Sequence, residues 1–355
     1  MLKCLISNTI FSREKIVIGK GNIMNFEKTH VIANANAKGG IGKTTNSLGL
    51  CYALSHLGFD VLLLDGDPQA SSTSDLRMDL KEDSDLNTID KLITPVLEAD
   101  FSEYRELGYR SQREYWNDLC DKTFNWERIS EFIYTPTYEK MVRIGTKWQV
   151  KEFPFGDNLA RFDILPSSID LSVCDLKMGT QSRFFGGHIN PNYFQMALDP
   201  IKEQKIYDFI VIDLPPQVSS ISINMLRSAQ DGVILNSNLD LQSIRGFKSI
   251  IASISDLQES FPEHRGILGI LFSMYSAHRS TDKTIEEIAK DFVPIPIFDA
   301  RIPDTSDARK AILSNKLLNQ INRRAETAYT DFAMEIINAM RFPDKPIGTN
   351  KKIEK

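Results

Sequence analysis

The sequence feature that most restricts the fold is a glycine-rich segment, Lys38-Gly-Gly-Ile-Gly-Lys-Thr-Thr45. The apolar residues 30–34 before it are typical of a strand, and residues 44–57 after it have a helical pattern. A loop between them directs backbone N–H groups and the positive end of the helix dipole toward phosphates. Lys43 would then contact the β- and γ-phosphates, and the Thr44 hydroxyl would ligate Mg²⁺. The alternative, a glycine-rich turn that binds nothing, explains neither the Gly-Lys-Thr-Thr ending nor the strand-loop-helix setting.

Apolar runs and helical patterns alternate along much of the chain. Runs typical of strands lie at residues 30–34, 61–65, 162–165, 209–213, 232–236 and 267–272. Helical patterns lie at residues 44–57, 193–204, 219–229, 242–258 and 284–291. This alternation predicts an α/β fold that is doubly wound, with a mostly parallel sheet and helices on both faces.

Carboxylates follow two of the predicted strands. Residues 61–69 read Val-Leu-Leu-Leu-Asp-Gly-Asp-Pro-Gln, and residues 207–216 read Tyr-Asp-Phe-Ile-Val-Ile-Asp-Leu-Pro-Pro. Because parallel strands end at one edge of the sheet, Asp65, Asp67 and Asp213 are expected beside the phosphates. The alternative is structural, since Asp65 or Asp67 could cap the next helix and an acidic turn after a buried strand is common.

Together these motifs resemble the ParA/MinD family of P-loop ATPases, whose deviant Walker motif has an early lysine where this chain has Lys38. The resemblance implies that Lys38 reaches the partner's phosphates across a homodimer interface, although a solvated surface lysine is the alternative. It assigns Asp67 to orienting the attacking water, and it places Thr44, Asp65 and Asp213 around Mg²⁺. The nucleotide-binding residues it implies are Lys38, Gly39, Gly40, Ile41, Gly42, Lys43, Thr44 and Thr45.

The likeness covers roughly residues 29–75 and 160–340, which predicts one ATPase domain over residues 29–345 with an insertion at about 80–158. Residues 101–155 hold 13 of the 33 aromatic residues and all three tryptophans, so the insertion is expected to fold around a small core of its own. Residues 1–28 are an N-terminal extension in which Met24 is a second possible start, and residues 346–355 form a polar tail.

The charge distribution limits where nucleic acid could bind. The chain has a formal charge of -5, yet residues 301–355 contain eleven Lys or Arg against seven Asp or Glu. In ParA proteins DNA-contacting residues tend to lie where this chain has Lys316, Arg323 and Arg324. The following pattern, from Ala325 to Met340, predicts a helix that packs on the domain and leaves the arginines outward. A solvated basic helix face is the alternative.

Several other classes fit the sequence less well. The four cysteines form no closely spaced pair, no apolar stretch is long enough to span a membrane, and the C-terminal residues lack the amphipathic helix of MinD-type proteins. Cytoplasmic localisation is expected. No cysteine motif matches that of nitrogenase iron-protein relatives, whereas an ATP-dependent amidating synthetase stays open as an alternative.

The predicted function is an ATP-dependent, Mg²⁺-dependent dimerisation switch of the ParA kind. Such a protein binds DNA non-specifically on the nucleoid and partitions plasmid or chromosomal DNA, and a ParB-like centromere-binding adaptor stimulates its hydrolysis. The alternative within the family is an ATPase that positions a protein cargo.

Overall fold

The computed structural model describes residues 26–36, 40, 42–78, 86–144, 147–154, 160–181, 191–238, 241–276, 284, 295–307, 310–311, 316–344 and 347. The strands are β1 His30–Ala35, β2 Val61–Asp65, β3 Thr137–Ile144, β4 Lys147–Pro154, β5 Phe162–Leu165, β6 Phe209–Asp213, β7 Gly232–Ser237, β8 Ile267–Tyr275 and β9 Ile297–Pro303.

The α-helices are α1 Lys43–His56, α2 Ser71–Asp75, α3 Ile89–Leu97, α4 Gln112–Thr123, α5 Trp126–Ser130, α6 Leu171–Gln181, α7 Tyr193–Glu203, α8 Ser220–Ser228, α9 Leu241–Ser260, α10 Leu318–Ile321 and α11 Arg323–Arg341. None of the helices within the described ranges has the length and apolarity needed to cross a bilayer.

Seven strands form one parallel sheet in the order β5-β2-β6-β1-β7-β8-β9. The predicted doubly wound α/β fold is therefore confirmed, and the six predicted strands match β1, β2, β5, β6, β7 and β8. Strand β9 was not predicted, because it contains no continuous apolar run. It lies at the sheet edge, where buried positions alternate with exposed or half-buried ones. The predicted helix at residues 284–291 lies outside the described residues apart from residue 284.

The sheet separates two hydrophobic cores. Along β1, Val31 and Ala33 face one core and Ile32 faces the other, as the period of two in a strand requires. Helices α1, α10 and α11 cover the face that contains Ile32, and helices α3 to α9 cover the opposite face. Both faces of the central strands are thus buried, which explains their almost uninterrupted apolar sequences.

In the described part of the insertion, the apolar residues do not form the separate core that the aromatic content suggested. Cys120 and Phe124 at the end of α4, and Ile129 and Phe132 in and after α5, join the same core as the sheet face. Because an amphipathic helix buries its apolar stripe against whichever apolar face is available, α4 and α5 extend the main core. Among the strands that the structure describes, β3 and β4 pair only with each other, as a two-stranded antiparallel sheet.

Candidate functional site

The three sequence motifs meet at the carboxyl edge of the sheet. Strand β6 lies between β1 and β2, and Asp213 is paired in register with Asn34 on one side and Asp65 on the other. The chain leaves β1 toward α1 and leaves β2 toward α2 at this edge. The prediction that the ends of β1, β2 and β6 lie side by side is therefore confirmed.

The glycine-rich loop has the backbone conformation that its sequence requires. Gly40 and Gly42 have φ values of 77° and 83°, in the left-handed region that glycine adopts without steric cost. Gly42 is the N-cap of α1, and it offers no side chain to the first N–H groups of that helix. The first turn contains no acidic residue, so its positive end is not offset by a carboxylate of its own. Lys38, Gly39 and Ile41 lie outside the described residues.

The centre of the site is the fully buried carboxylate of Asp213, which is hydrogen-bonded to four side chains. One oxygen is 2.7 Å from Lys43 Nζ and 2.8 Å from Ser47 Oγ. The other oxygen is 3.0 Å from both Thr44 Oγ1 and Ser72 Oγ. Lys43 is itself 6% exposed, so this is a buried ion pair supported by three hydroxyl groups.

Asp65 orients the segment that follows β2. One of its oxygens accepts hydrogen bonds of 2.8 Å from both the backbone N–H and the hydroxyl of Thr73 at α2. The other accepts from the backbone N–H of Asp67 at 3.3 Å. Burial, and then the charge of Asp213, raise the pKa of Asp65 to about 7. In this geometry Asp65 has the helix-capping contacts that were the structural alternative, and its role around Mg²⁺ stays a prediction.

Asp67 lies closer to the phosphate loop. Its Oδ2 is 3.8 Å from Lys43 Nζ, and its Oδ1 accepts a 2.9 Å hydrogen bond from the backbone N–H of Gln69. The Ser167 hydroxyl donates to the carbonyl of Asp67 and fixes the backbone there. One carboxylate oxygen is thus held by the backbone while the other faces the lysine, which is compatible with the predicted role in orienting water.

The oxygen atoms at this site fit a magnesium ion. The hydroxyls of Thr44 and Ser72 each lie 3.0 Å from one carboxylate oxygen of Asp213, and Mg²⁺ prefers such hard oxygen ligands. Within the described ranges, His, Cys, Asp and Glu form no cluster of three that could hold a metal by itself. Mg²⁺ at nucleotide sites is held by a few protein oxygens together with phosphate oxygens and water.

Ser47 and Ser72 contact Asp213 but were not among the residues singled out from the sequence. Ser47 could have been found, since it lies four residues after Lys43 on one face of a helix. Ser72 lies on α2, and only the packing of α2 beside β2 brings it to Asp213. No spacing in the sequence indicates that contact.

The basic residues predicted to contact DNA are exposed. Lys316 precedes α10, and Arg323 and Arg324 form the start of α11. The inward face of α11 is buried as predicted, and its members include Ala325, Phe332, Ile336 and Met340. Two arginines in a first turn oppose the helix dipole, so helix stability alone does not favour them there. Their exposure agrees with either a DNA contact or a solvated face.

A parallel doubly wound sheet with a glycine loop, a lysine and a strand-end aspartate at one edge defines a P-loop nucleoside triphosphatase. The AAA_31 family model, described as an AAA domain, matches residues 29–266. The chain belongs to this family and is a ParA/MinD-type P-loop ATPase, which confirms the resemblance seen in its motifs.

Among curated proteins, the chain is similar to the chromosome partitioning protein ParA of Caulobacter vibrioides, with 22% identity over 320 residues, 90% of this chain and 97% of that protein. It resembles cobyrinic acid a,c-diamide synthase from Mycobacterium smegmatis with bound ADP and magnesium, at a TM-score of 0.58 and 21% identity, over 90% of this chain and 98% of that one. It also resembles an ATP complex of a McdA variant from Cyanothece, at a TM-score of 0.62 and 17% identity, over 88% of this chain and 98% of that one. These two likenesses concern the fold.

Proposed function

We propose that the chain is an ATP-dependent dimerisation switch that binds DNA without sequence preference and partitions plasmid or chromosomal DNA. In this proposal a ParB-like adaptor stimulates hydrolysis, and the protein acts in the cytoplasm on the nucleoid. The observation that supports it best is the combination of a phosphate site around Asp213 with exposed basic residues at the start of α11. The similarity to a chromosome partitioning protein over 90% of the chain points the same way.

At the phosphate site, the positions of Lys43, Thr44, Asp67 and Asp213 allow each of them a separate role in ATP binding or hydrolysis. The N–H groups at the start of α1 and the ammonium of Lys43 bind and orient the phosphates. Thr44 and Asp213 would hold Mg²⁺, which supplies charge neutralisation at the phosphates when bound. Asp67, with one oxygen fixed by the N–H of Gln69, orients the attacking water. Catalysis then rests on positioning and charge stabilisation.

The switch requires that two protomers share the nucleotides. Lys38 is the residue proposed to reach the partner's phosphates, so the Lys38→Ala variant should bind ATP as a monomer yet form far less ATP-dependent dimer. Sedimentation with ATP and with ADP measures this, and the wild-type protein is the reference. A normal ATP dimer in the variant would remove the cross-interface role of Lys38.

An amidating synthetase is the alternative from another class, and its relatives share this fold. It would need a pocket for a carboxylate substrate. A cavity of about 460 Å³ lies between α3 and α6, and its charged lining residues are Asp90, Glu98, Asp170, Lys91 and Lys177. Three carboxylates against two ammonium groups do not favour a negatively charged substrate. A screen of small carboxylates for stimulation of ATP turnover tests this alternative directly.

DNA binding is the part of the proposal that one experiment can decide. We expect the wild-type protein to bind duplex DNA of any sequence only with ATP, because dimerisation brings two weak basic patches to one DNA. The Arg323→Glu/Arg324→Glu variant should lose this binding and keep the dimer and the basal ATPase. The slope of log affinity against log salt should fall by roughly one unit for each DNA phosphate that the variant no longer neutralises.

The matched control is Arg105→Glu/Arg110→Glu, which changes the net charge equally at exposed arginines of the insertion. Fluorescence anisotropy at several salt concentrations, with ATP and with ADP, separates the outcomes. If the α11 variant binds like the wild type, the basic patch is wrong. If the wild type never binds DNA, partitioning loses its main support and the positioning of a protein cargo becomes the better proposal.

A further inference from the structure

A chain of buried hydrogen bonds connects the C-terminal helix to the phosphate site. It begins at the hydroxyl of Tyr329 on α11, which is fully buried and donates to Asn46 Oδ1 on α1 at 2.9 Å. The amide of Asn46 donates in turn to Asn236 Oδ1 on β7 at 2.8 Å, with a side branch to Ser273 Oγ at 2.6 Å. Four secondary-structure elements, with Ser273 on β8 as the fourth, are therefore joined by polar groups that are at most 2% exposed.

The chain continues from β7 to the aspartate. The amide of Asn236 donates to Asn34 Oδ1 on β1 at 3.3 Å, and the amide of Asn34 donates to Ser47 Oγ at 3.0 Å. Ser47 donates to Asp213 at 2.8 Å, a shorter and charge-assisted bond compared with its 3.2 Å contact to the carbonyl of Lys43. The last acceptor is thus the carboxylate that also binds Lys43.

All the hydrogen bonds in this series point the same way, with each donor on the side of Tyr329 and each acceptor on the side of Asp213. Each asparagine accepts with its oxygen and donates with its nitrogen toward Asp213, so each bond polarises the next and the negative carboxylate is the natural end. Buried polar groups that lose a partner are costly, because water cannot replace the missing bond. The amide of Asn236 also donates to the carbonyl of Ala35 at 3.1 Å, so the backbone of β1 helps to hold this member in place. The other two asparagines, Asn46 and Asn34, are oriented by the hydrogen bonds on the path.

The packing around Tyr329 keeps the first bond in place. Its hydroxyl is also 3.3 Å from the carbonyl of Thr45, and its ring lies over Gly49 on α1. A Cβ atom at Gly49 would lie 2.5 Å from that ring, so only glycine lets the two helices approach this closely. The hydroxyl can thus reach Asn46 only because the backbones of α1 and α11 are close together.

We propose that Tyr329 is a positioning residue that couples α11 to the phosphate site through Asn46, Asn236, Asn34 and Ser47. Nucleotide that engages Lys43, Thr44 and Asp213 then stabilises α11, and α11 in turn stabilises the orientation of Asp213. This coupling rests on the proposed nucleotide site and does not depend on the basic start of α11. It makes the C-terminal helix respond to the state of the nucleotide.

The test is hydrogen–deuterium exchange with Mg·ADP and without it, since ADP avoids any turnover. In the wild type, nucleotide should slow exchange both in α1 and in α11, with the change in α11 at least about fivefold. Tyr329→Phe removes only the hydroxyl. It should keep the response of α1 and lose that of α11.

Two controls separate coupling from general loss of stability. Tyr207→Phe removes another buried tyrosine hydroxyl, which donates to Asp163 and is not part of the hydrogen-bond series between Tyr329 and Asp213. Ser273→Ala removes the side branch from Asn46, which is not on the path to Asp213. Both should keep the α11 response.

A retained α11 response in Tyr329→Phe, or its loss in either control, would overturn the proposal. Failure of the nucleotide site itself would be distinguishable, because α1 of the wild type would then show no response to Mg·ADP.

Discussion

Two buried aspartates at opposite edges of the sheet are held in different ways. Asp213 ends β6 at the carboxyl edge, and its partners are side chains of α1 and α2. Asp231 precedes β7 at the amino edge, where it accepts from Lys28 Nζ at 2.7 Å, His30 Nδ1 at 3.0 Å and the backbone N–H of Val31 at 2.9 Å. Burial and hydrogen bonding to a lysine are therefore common to both.

The difference lies in what the donors can do. One of the three donors to Asp231 is the backbone N–H of Val31, which cannot turn away, so Asp231 fastens the start of β1 to β7. The hydroxyls and the ammonium around Asp213 can rotate toward a ligand, and they lie beside the positive end of α1. We therefore expect Asp213, all of whose side-chain donors can turn toward a ligand, to belong to a binding site and Asp231 to have a structural task.

The largest expected effect is on ATP affinity, and it distinguishes Lys43 at the carboxyl edge from Lys28 at the amino edge. Lys43→Ala should weaken ATP binding about a thousandfold, ~4 kcal/mol, because it leaves the phosphates without their buried counter-charge. Lys28→Ala removes the lysine of the other edge and should leave ATP affinity unchanged. Titration with a fluorescent ATP analogue measures both. Wild-type ATP affinity in Lys43→Ala would contradict the assignment of the phosphate site. An equal loss of affinity in Lys28→Ala would contradict the claim that only the carboxyl edge binds ATP.

The next effect concerns turnover alone. Asp67→Ala should retain ATP and Mg²⁺ but hydrolyse ATP roughly a hundredfold more slowly, because the water is no longer oriented. The variant should accumulate as a trapped ATP dimer. Single-turnover assays and sedimentation measure the two properties. Loss of ATP binding in this variant would instead indicate a structural or metal-binding role for Asp67.

Asp231→Asn should affect stability and leave the site intact. The substitution removes a buried negative charge that accepts hydrogen bonds from the buried His30 ring and the Val31 backbone, so the free energy of unfolding should fall by ~2 kcal/mol. Asp121→Asn, at an exposed position, should change it by less than about 0.5 kcal/mol. Urea denaturation gives these values. A marked fall in ATP affinity of the Asp231 variant would mean that the two edges are not independent.

The smallest effect is a dependence on acid pH. Burial alone would raise the pKa of Asp231, but hydrogen bonds from His30 and Lys28 outweigh it and lower the pKa to about 2. Its stabilisation is fully present above the unfolded-state pKa of about 4 and is lost as the pH falls toward about 2. The difference in stability between the wild type and Asp231→Asn should therefore shrink over that range. A constant difference would show that another group is responsible.

The site was more predictable than its surroundings because its signal is local. Lys43 and Thr44 are fixed by the loop in front of α1, and Asp65, Asp67 and Asp213 by the ends of two buried strands. Strand ends in a parallel sheet share an edge, so no further information was needed to bring them together. The contacts of Asp65 with Thr73 were harder to foresee, since they depend on how α2 turns back onto β2.

The insertion shows the limit of composition as evidence. Its aromatic residues correctly indicated folded structure, but they gave no information about which apolar surface would cover Phe124 and Phe132. Hydrophobic burial is non-directional, so an amphipathic helix does not specify its partner. Only the folded chain shows that the partner is the main core.

By itself, the sequence determined the alternation of strands and helices, the fold class and the meeting of Lys43, Thr44 and Asp213 at the carboxyl edge of the sheet. These follow from periodicity and from backbone geometry within a few residues. The tertiary structure decided which distant polar groups meet: Ser72 at Asp213, Lys28 at Asp231, and Tyr329 at Asn46, which is 283 residues away along the chain. Such contacts depend on the packing of whole elements, so the spacing of residues along the chain does not predict them.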